Sequence, residues 1–380
     1  MVSVENFYLV LYEHLLKPLG WTCAYAYPFG TRDHLCYLHG PGQIISPRAL
    51  FHHDQEPIYP GDEGWIRDNT KIDYLPRLLA NSEHSSLKDT VCRSLGLGDW
   101  YFFYHGFAAL DWYRDARFID NDEKIQVPFL SLNHLIRSRR SYRMALISRF
   151  YERNLHEIGR ISFHGDHFDC LQEITDSDSL LSDKSKGIIE RNLVARTDLP
   201  VIADIADMHG RVSANFAHGD IRLRQQAFVC VVNETVFFEP KLHLTEKIFQ
   251  PIVCKRPFIL AAAPGNLAYL RSYGFRTFSE FIDESYDDIQ DPDQRMDRIA
   301  DIVSDMSNRP LTELQKMLDD MQPILDHNKR HFFTGFRETI VNELVDNFNQ
   351  GICSWNELRK ISRRYPTHPD PRTVKNLLLR

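Results

Sequence analysis

Short apolar runs, too brief for helices, recur along the chain between stretches of helical pattern. This alternation limits the folds open to the sequence more than any other feature. Leu35-Cys36-Tyr37-Leu38 and Ile44-Ile45 are buried-strand candidates in the first third, flanked by Gly and Pro. Residues 127–132, 158–163, 228–232 continuing towards Phe238, and 257–261 follow later. Strands alternating with helices build α/β units around parallel sheets. At 380 residues the chain is too long for one ordinary core, so two domains or a little more are expected. The pattern restarts near residue 126, which places one boundary there. From Met296 onward, Ile299, Ile302, Val303, Met306, Leu311, Leu314, Met317, Leu318 and Met321 fall at helical spacing, as do Phe332, Phe336, Ile340 and Leu344. The expected division is therefore 1–125, 126–300 and a helical 301–380, with the Met and aromatic stripe read as core packing.

Composition narrows the function classes. Forty-five basic against fifty-two acidic residues give a net charge of −7, which argues against a surface that wraps a polyanion throughout. The seven cysteines are scattered, odd in number and without CxxC spacing, so neither a disulfide framework nor a zinc ribbon is indicated and a reducing cytoplasm fits best. No run approaches the roughly eighteen apolar residues of a membrane span, and no leader pattern opens the chain. The expectation is a cytoplasmic protein with no membrane partner, in the host cytoplasm if the source is viral.

The most informative stretch runs from Phe237 to Gly265. It reads as strand, loop, helix start, strand and glycine turn. Thr245 suits an N-cap, which puts Glu246 and Lys247 in a first turn where open backbone N–H groups favour an anion such as a diphosphate. Lys247 can neutralise phosphate, and Glu246 can accept ribose hydroxyls, as acidic residues do in dinucleotide sites. Pro264-Gly265 opens a second helix whose N-terminus adds amide donors. Taken alone, Thr-Glu-Lys is equally an ordinary capped helix start.

Thr245-Glu246-Lys247, followed by an apolar helix and Pro257-Phe258-Ile259-Leu260, resembles the donor-binding signature of fucosyltransferase-like enzymes. The chain is also similar to uncharacterised glycosyltransferases of tailed phages and large viruses across 51–57, 81–84, 104–113, 129–140 and 233–288. The resemblance implies a GT-B fold: two Rossmann-like domains facing a cleft, an acceptor domain at 1–125, a nucleotide-sugar domain at 126–300, and C-terminal helices with a basic tail. It implies sugar transfer from a nucleotide-sugar co-substrate to a hydroxyl, with no further cofactor and no metal. Glu246 then contacts the ribose and Lys247 the phosphates, while Glu239 positions the sugar. The chain departs from the family pattern in having Pro240 after that Glu and a short gap to Thr245. An arginine after the strand at 128–132 reaches the phosphates in such enzymes. Asn133, Arg137, Arg139, Arg140 and Arg143 lie there; Arg137 and Arg140, three apart on an expected helix spanning 137–154, are the choices, with Arg222 and Arg224 as alternatives.

Transfer to a hydroxyl needs a base. His52-His53-Asp54-Gln55-Glu56-Pro57 supplies Asp54 and Glu56 as candidates, with a capped turn as the alternative reading. Tyr104-His105-Gly106-Phe107, ahead of Asp111, Trp112 and Tyr113, adds His105 among aromatics suited to stacking. His164-Gly165-Asp166-His167-Phe168-Asp169-Cys170 is read as structural rather than metal-binding. Residues 359–380 hold seven basic side chains and one acid. Together with the phage-like resemblance, this makes DNA bearing a hydroxymethylated pyrimidine a candidate acceptor. A glycan or lipid-linked saccharide, or a non-catalytic sugar- or nucleic-acid-binding module, is the alternative.

Overall fold

The computed structural model describes residues 22–25, 34–39, 47–53, 56–69, 78–118, 123–203 and 221–358. The candidate strand at 44–45, Asp54 and the basic segment 359–380 lie outside them. Two compact units result: Met1–Asp111 with Gly335–Arg380, and Trp112–Thr334. The sequence placed the divisions at 125/126 and 300/301. The C-terminal helical region is not a unit of its own, since its first part belongs to the second unit and its last helix to the first.

The first unit holds a five-stranded sheet of β1 (Thr22–Tyr25), β2 (His34–His39), β3 (Pro47–His53), β4 (Leu78–Asn81) and β5 (Gly98–Tyr101), side by side in sequence order. β1, β2 and β3 pair antiparallel, whereas β3, β4 and β5 pair parallel. Helices α1 (Asp62–Asn69) and α2 (Ser86–Leu95) are the parallel crossovers, and α3 (Tyr104–Trp112) follows β5. α2 is held at both ends, by the Ser85 hydroxyl accepting from Lys88 N and by Gly96 at φ 63°. Ile58, Ile66, Leu79, Val91, Cys92 and Leu97 make the core beneath these crossovers. Among the described strands the order does not reverse, so they form no switch-point crevice. The Rossmann-like expectation for this half therefore holds only at the level of α/β character.

The second unit is built on β6 (Val127–Asn133), β7 (Arg160–Phe163), β8 (Ala227–Asn233) and β9 (Phe258–Ala261). They pair entirely parallel in the order β7-β6-β8-β9. β8 is buried at all seven positions and β9 at all four, which is why β9 and β8 up to Val232 read as apolar runs. β8 stops at Asn233, so the strand expected to run on to Phe238 is instead an irregular loop. The basic helix expected over 137–154 is also different. Arg137 precedes a 3-10 turn at Ser138–Arg140, Ser138 sits at φ 55°, and α4 (Tyr142–Glu152) begins only afterwards. Arg137 and Arg140 thus share no α-helical face.

α4 is buried from Tyr142 to Tyr151. Its Arg149 is fully buried and donates to Asp293 and Asp297, both at 2.6 Å. Those carboxylates lie on α10 (Pro292–Ser307), the first of the C-terminal helices and one whose apolar stripe was legible. Among the described residues, the further α-helices of this unit are α5 (His167–Thr175), α6 (Asp183–Ile189), α7 (Ile221–Gln225), α8 (Phe249–Val253), α9 (Asn266–Ser272), α11 (Leu311–Asp320) and α12 (Gln322–Phe333).

The last helix, α13 (Gly335–Leu358), packs on β5 of the first unit. Two glycines permit the approach: a Cβ on Gly98 would stand 2.7 Å from the Gly351 carbonyl oxygen, and one on Gly351 would stand 2.7 Å from that of Asp99. Trp100 Nε1 donates to Leu344 O at 3.1 Å, and its ring meets Phe348 edge-on.

Candidate functional site

In an open α/β sheet, ligands bind beyond the carboxyl ends of the strands where strand order reverses. Here that point lies between β6 and β8, since β7 continues on one side and β9 on the other. Both strands end in asparagine. Asn133 and Asn233 are 1% and 4% exposed, and each donates through Nδ2 to Ser131 Oγ, at 3.2 and 3.1 Å. Asn133 Nδ2 also reaches Ser162 O at 3.2 Å, which fixes its amide orientation. The Oδ1 atoms of both asparagines find no hydrogen-bond donor among the described residues. A buried amide oxygen without a donor is costly, and two beside one hydroxyl suit a partner rich in O–H or N–H groups.

The chain leaving β8 is clamped. Arg143 is buried and donates to Asn233 O at 2.8 Å, Glu234 O at 2.9 Å and Leu135 O at 2.7 Å. Tyr142 OH adds a bond to Glu234 O at 2.6 Å. Glu234, fully buried, accepts from the Thr245 hydroxyl at 2.5 Å and from Thr245 N at 3.2 Å. This ties the distant end of the 234–245 loop back to the strand and fixes where Thr245 caps the 3-10 turn Glu246–Ile248. The cap on Thr245 is as expected; Glu234 and the clamping role of Arg143 were missed. The signal for Glu234 was a carboxylate one residue beyond the apolar run 227–232, where burial demands partners.

Lys247 Nζ sits 3.0 Å from both Thr245 Oγ1 and Glu246 Oε1. It borders a small cavity of about 50 Å³ with Arg224, Asn233, Gln250, Leu132 and Val232. Arg224 is 6% exposed and donates to Gln250 Oε1 at 2.8 Å. The Tyr113 hydroxyl reaches Glu246 O at 3.4 Å; burial and the nearby Glu246 carboxylate hold its pKa well above the usual tyrosine value. The arginine that joins Lys247 is therefore Arg224. Arg137 pairs with Asp169 at 3.3 Å, Arg139 with Glu239 at 2.7 Å, and Arg222, largely exposed, stands 3.6 Å from Glu123. Arg140 is half-buried at the end of its 3-10 turn.

Gly265 does open a helix, at φ 83° before α9. Its neighbouring amides are already engaged, however: Leu267 N donates to Asp287 Oδ2 at 3.1 Å and Gly265 N to Asp287 O at 2.9 Å. Burial lifts the Asp287 carboxyl to about 6, against the pull of the Leu267 and Ala268 amides and Arg271. The expected extra anion donors are thus used by the protein itself. A larger cavity of about 710 Å³ lies beyond this helix, bordered by Glu280, Asp283, Glu284, Asp287, Asp288 and Arg271. Its carboxylates, with Arg271 bound to Glu284 at 3.2 Å, make it a poor receptor for a diphosphate.

Among the other candidates, His105 lies on α3 and is 8% exposed, with its ring against Tyr104. Glu56 is half-buried in the first unit. In the 164–170 segment, Asp166 and Asp169 form a reciprocal capping box at the start of α5, and burial pushes the Cys170 thiol up to about 12. The site thus gathers Asn133, Thr245, Glu246 and Lys247 from the expected set, takes Arg224 from the alternatives in place of Arg137 and Arg140, and adds Asn233 and Glu234. Comparison with protein-family models, curated proteins and solved structures gives no match. What fold and site define is an α/β protein whose second sheet is parallel, reverses its strand order and carries amide and cationic groups at the reversal.

Proposed function

We propose that this protein is a glycosyltransferase that moves a sugar from a nucleotide-sugar donor to a hydroxyl acceptor. The observation that carries the reading is the grouping of Lys247, Arg224 and Asn233 around one cavity at the reversal point of the second sheet. Lys247 exchanges its contact with Glu246 for the donor diphosphate, and Arg224 adds a second cation. Glu246, released, accepts ribose hydroxyls, while the Asn133 and Asn233 oxygens accept from further donor hydroxyls. As the acceptor oxygen bonds to the anomeric carbon, the carbon–oxygen bond to the diphosphate breaks. Preorganised cations then stabilise the charge that grows on the leaving group. The acceptor proposed from the sequence is a hydroxymethylated pyrimidine in DNA.

The test is titration of wild type and Lys247→Ala with UDP-glucose, UDP-N-acetylglucosamine, GDP-fucose and GDP-mannose, followed by transfer assays. The acceptors are hydroxymethylated DNA and lipid-linked saccharide. Binding that weakens in Lys247→Ala, with incorporation into one acceptor class, supports the reading. Absence of binding to every donor, or equal binding by the variant, rejects it.

A further inference from the structure

Beside Lys247 and Arg224 in the cavity at the reversal point stands Gln250, which has no part in the donor contacts above. It lies three positions after Lys247, in α8, and is half-buried. Its Oε1 accepts from Arg224 Nη2 at 2.8 Å. Gln250 also hydrogen-bonds the Tyr113 hydroxyl, and this contact favours the phenolate, so the amide is the donor to the phenol oxygen. The Tyr113 hydroxyl in turn donates to Glu246 O at 3.4 Å. Each bond sets the direction of the next: an amide that gives its N–H to Tyr113 turns its oxygen to Arg224.

Both cations of the cavity are thereby referred to one residue. Lys247 Nζ reaches Glu246 Oε1 directly, at 3.0 Å, whereas the Arg224 guanidinium reaches the Glu246 carbonyl through Gln250 and Tyr113. Tyr113 belongs to the aromatic stretch read from the sequence as suited to stacking. At 2% exposure its ring offers a ligand no face, and its hydroxyl is the part in use. Burial, then the Glu246 carboxylate, keep the proton on that hydroxyl, so it remains a donor. An arginine side chain loses much rotamer freedom when it is ordered, and fixing it beforehand removes that cost from ligand binding. The group that fixes Arg224 here is an amide. A carboxylate in its place would orient the guanidinium equally well, but it would also repel an incoming anion.

We propose that Gln250 is a positioning residue for anion binding: held by Tyr113, it aims the Arg224 guanidinium at the donor diphosphate. The assignment rests on the glycosyl-transfer reading above. The neutrality of Gln250 matters as much as its hydrogen bond, because it orients a cation without setting a negative charge beside it.

The test is a double-mutant cycle read by calorimetry with UDP, GDP and inorganic pyrophosphate, with thermal midpoints measured in parallel. Gln250→Ala is expected to weaken binding of all three about tenfold, the scale of one hydrogen bond to a charged group. Gln250→Glu keeps the shape and the hydrogen bond, yet it should weaken binding further, since the new carboxylate pairs with the guanidinium. A role in packing alone predicts the reverse order. In an Arg224→Gln background neither replacement should cost more than about twofold again. Tyr113→Phe should weaken binding in the same direction and by less than Gln250→Ala. Additive losses in the cycle overturn the assignment, as does a Gln250→Glu variant that binds as tightly as wild type. Unchanged affinity in Tyr113→Phe, or losses that merely follow a lower thermal midpoint, overturn it as well. A wild type that binds none of the three probes overturns the donor reading, and this assignment with it.

Discussion

The two sheets of this protein end in polar edges of opposite character. At the edge of the second, strand order reverses and two buried asparagines hold oxygens without donors. At the edge of the first, strands follow in sequence, Asn81 and Lys88 both bind Asp99, and Glu83 accepts from the Ser85 hydroxyl. Reversal separates the flanking crossovers and leaves room for a ligand, whereas sequential order does not. The two edges thus differ in satisfaction: Asn81, Lys88 and Asp99 pair within the first, whereas two amide oxygens of the second find no donor among the described residues.

The largest effect expected on this comparison comes from removing the scaffold of the second edge. Arg149→Met strands Asp293 and Asp297 against α4. Breaking a buried ion pair from one side should cost about 3 kcal/mol, read as a lowered denaturation midpoint. A loss of only a few tenths would mean that the carboxylates rehydrate. Next is Lys247→Ala, which should weaken nucleotide-sugar binding by about 1.5–3 kcal/mol, tenfold or more in Kd, with the fold intact. Gly351→Ala strikes the first unit instead. The new methyl meets the Asp99 carbonyl, so overpacking of about 1–3 kcal/mol is expected at the α13–β5 contact, detected as faster amide exchange in β5.

A smaller effect sharpens the contrast between filled and unfilled edges. Asn233→Leu removes one donorless oxygen and one bond to Ser131, so stability should change by less than about 1 kcal/mol while donor affinity falls. Unchanged affinity would separate these amides from the ligand. The pH dependence from Asp287 probes the second unit independently of these variants. Its folded pKa, about 6, lies above its unfolded value, so the stability it contributes is present below about pH 4 and is lost as pH rises through 6. Asp287→Asn should therefore gain on wild type in urea denaturation across that window; a constant difference would contradict the sign.

Much of the second sheet was legible because strands buried on both faces must be apolar throughout, as in Phe228–Val232 and Phe258–Ala261. Thr245 was legible because a helix start needs a side-chain oxygen at that position. The arginines were not. Arg143 and Arg149 look like a basic helix face until carbonyls at 233–234 and carboxylates at 293 and 297, far along the chain, are brought against them. The return of α13 to β5 rests on Gly98 and Gly351, whose mutual approach no local pattern encodes.

We propose above that the reversal point between β6 and β8 receives a nucleotide sugar. A crystal structure with a donor selected by calorimetry tests this most directly. Diphosphate density is expected against Lys247 and Arg224, with hydroxyls on the Asn133 and Asn233 oxygens and the Lys247–Glu246 contact opened. Density elsewhere, with that contact and both asparagine oxygens unchanged, would contradict it.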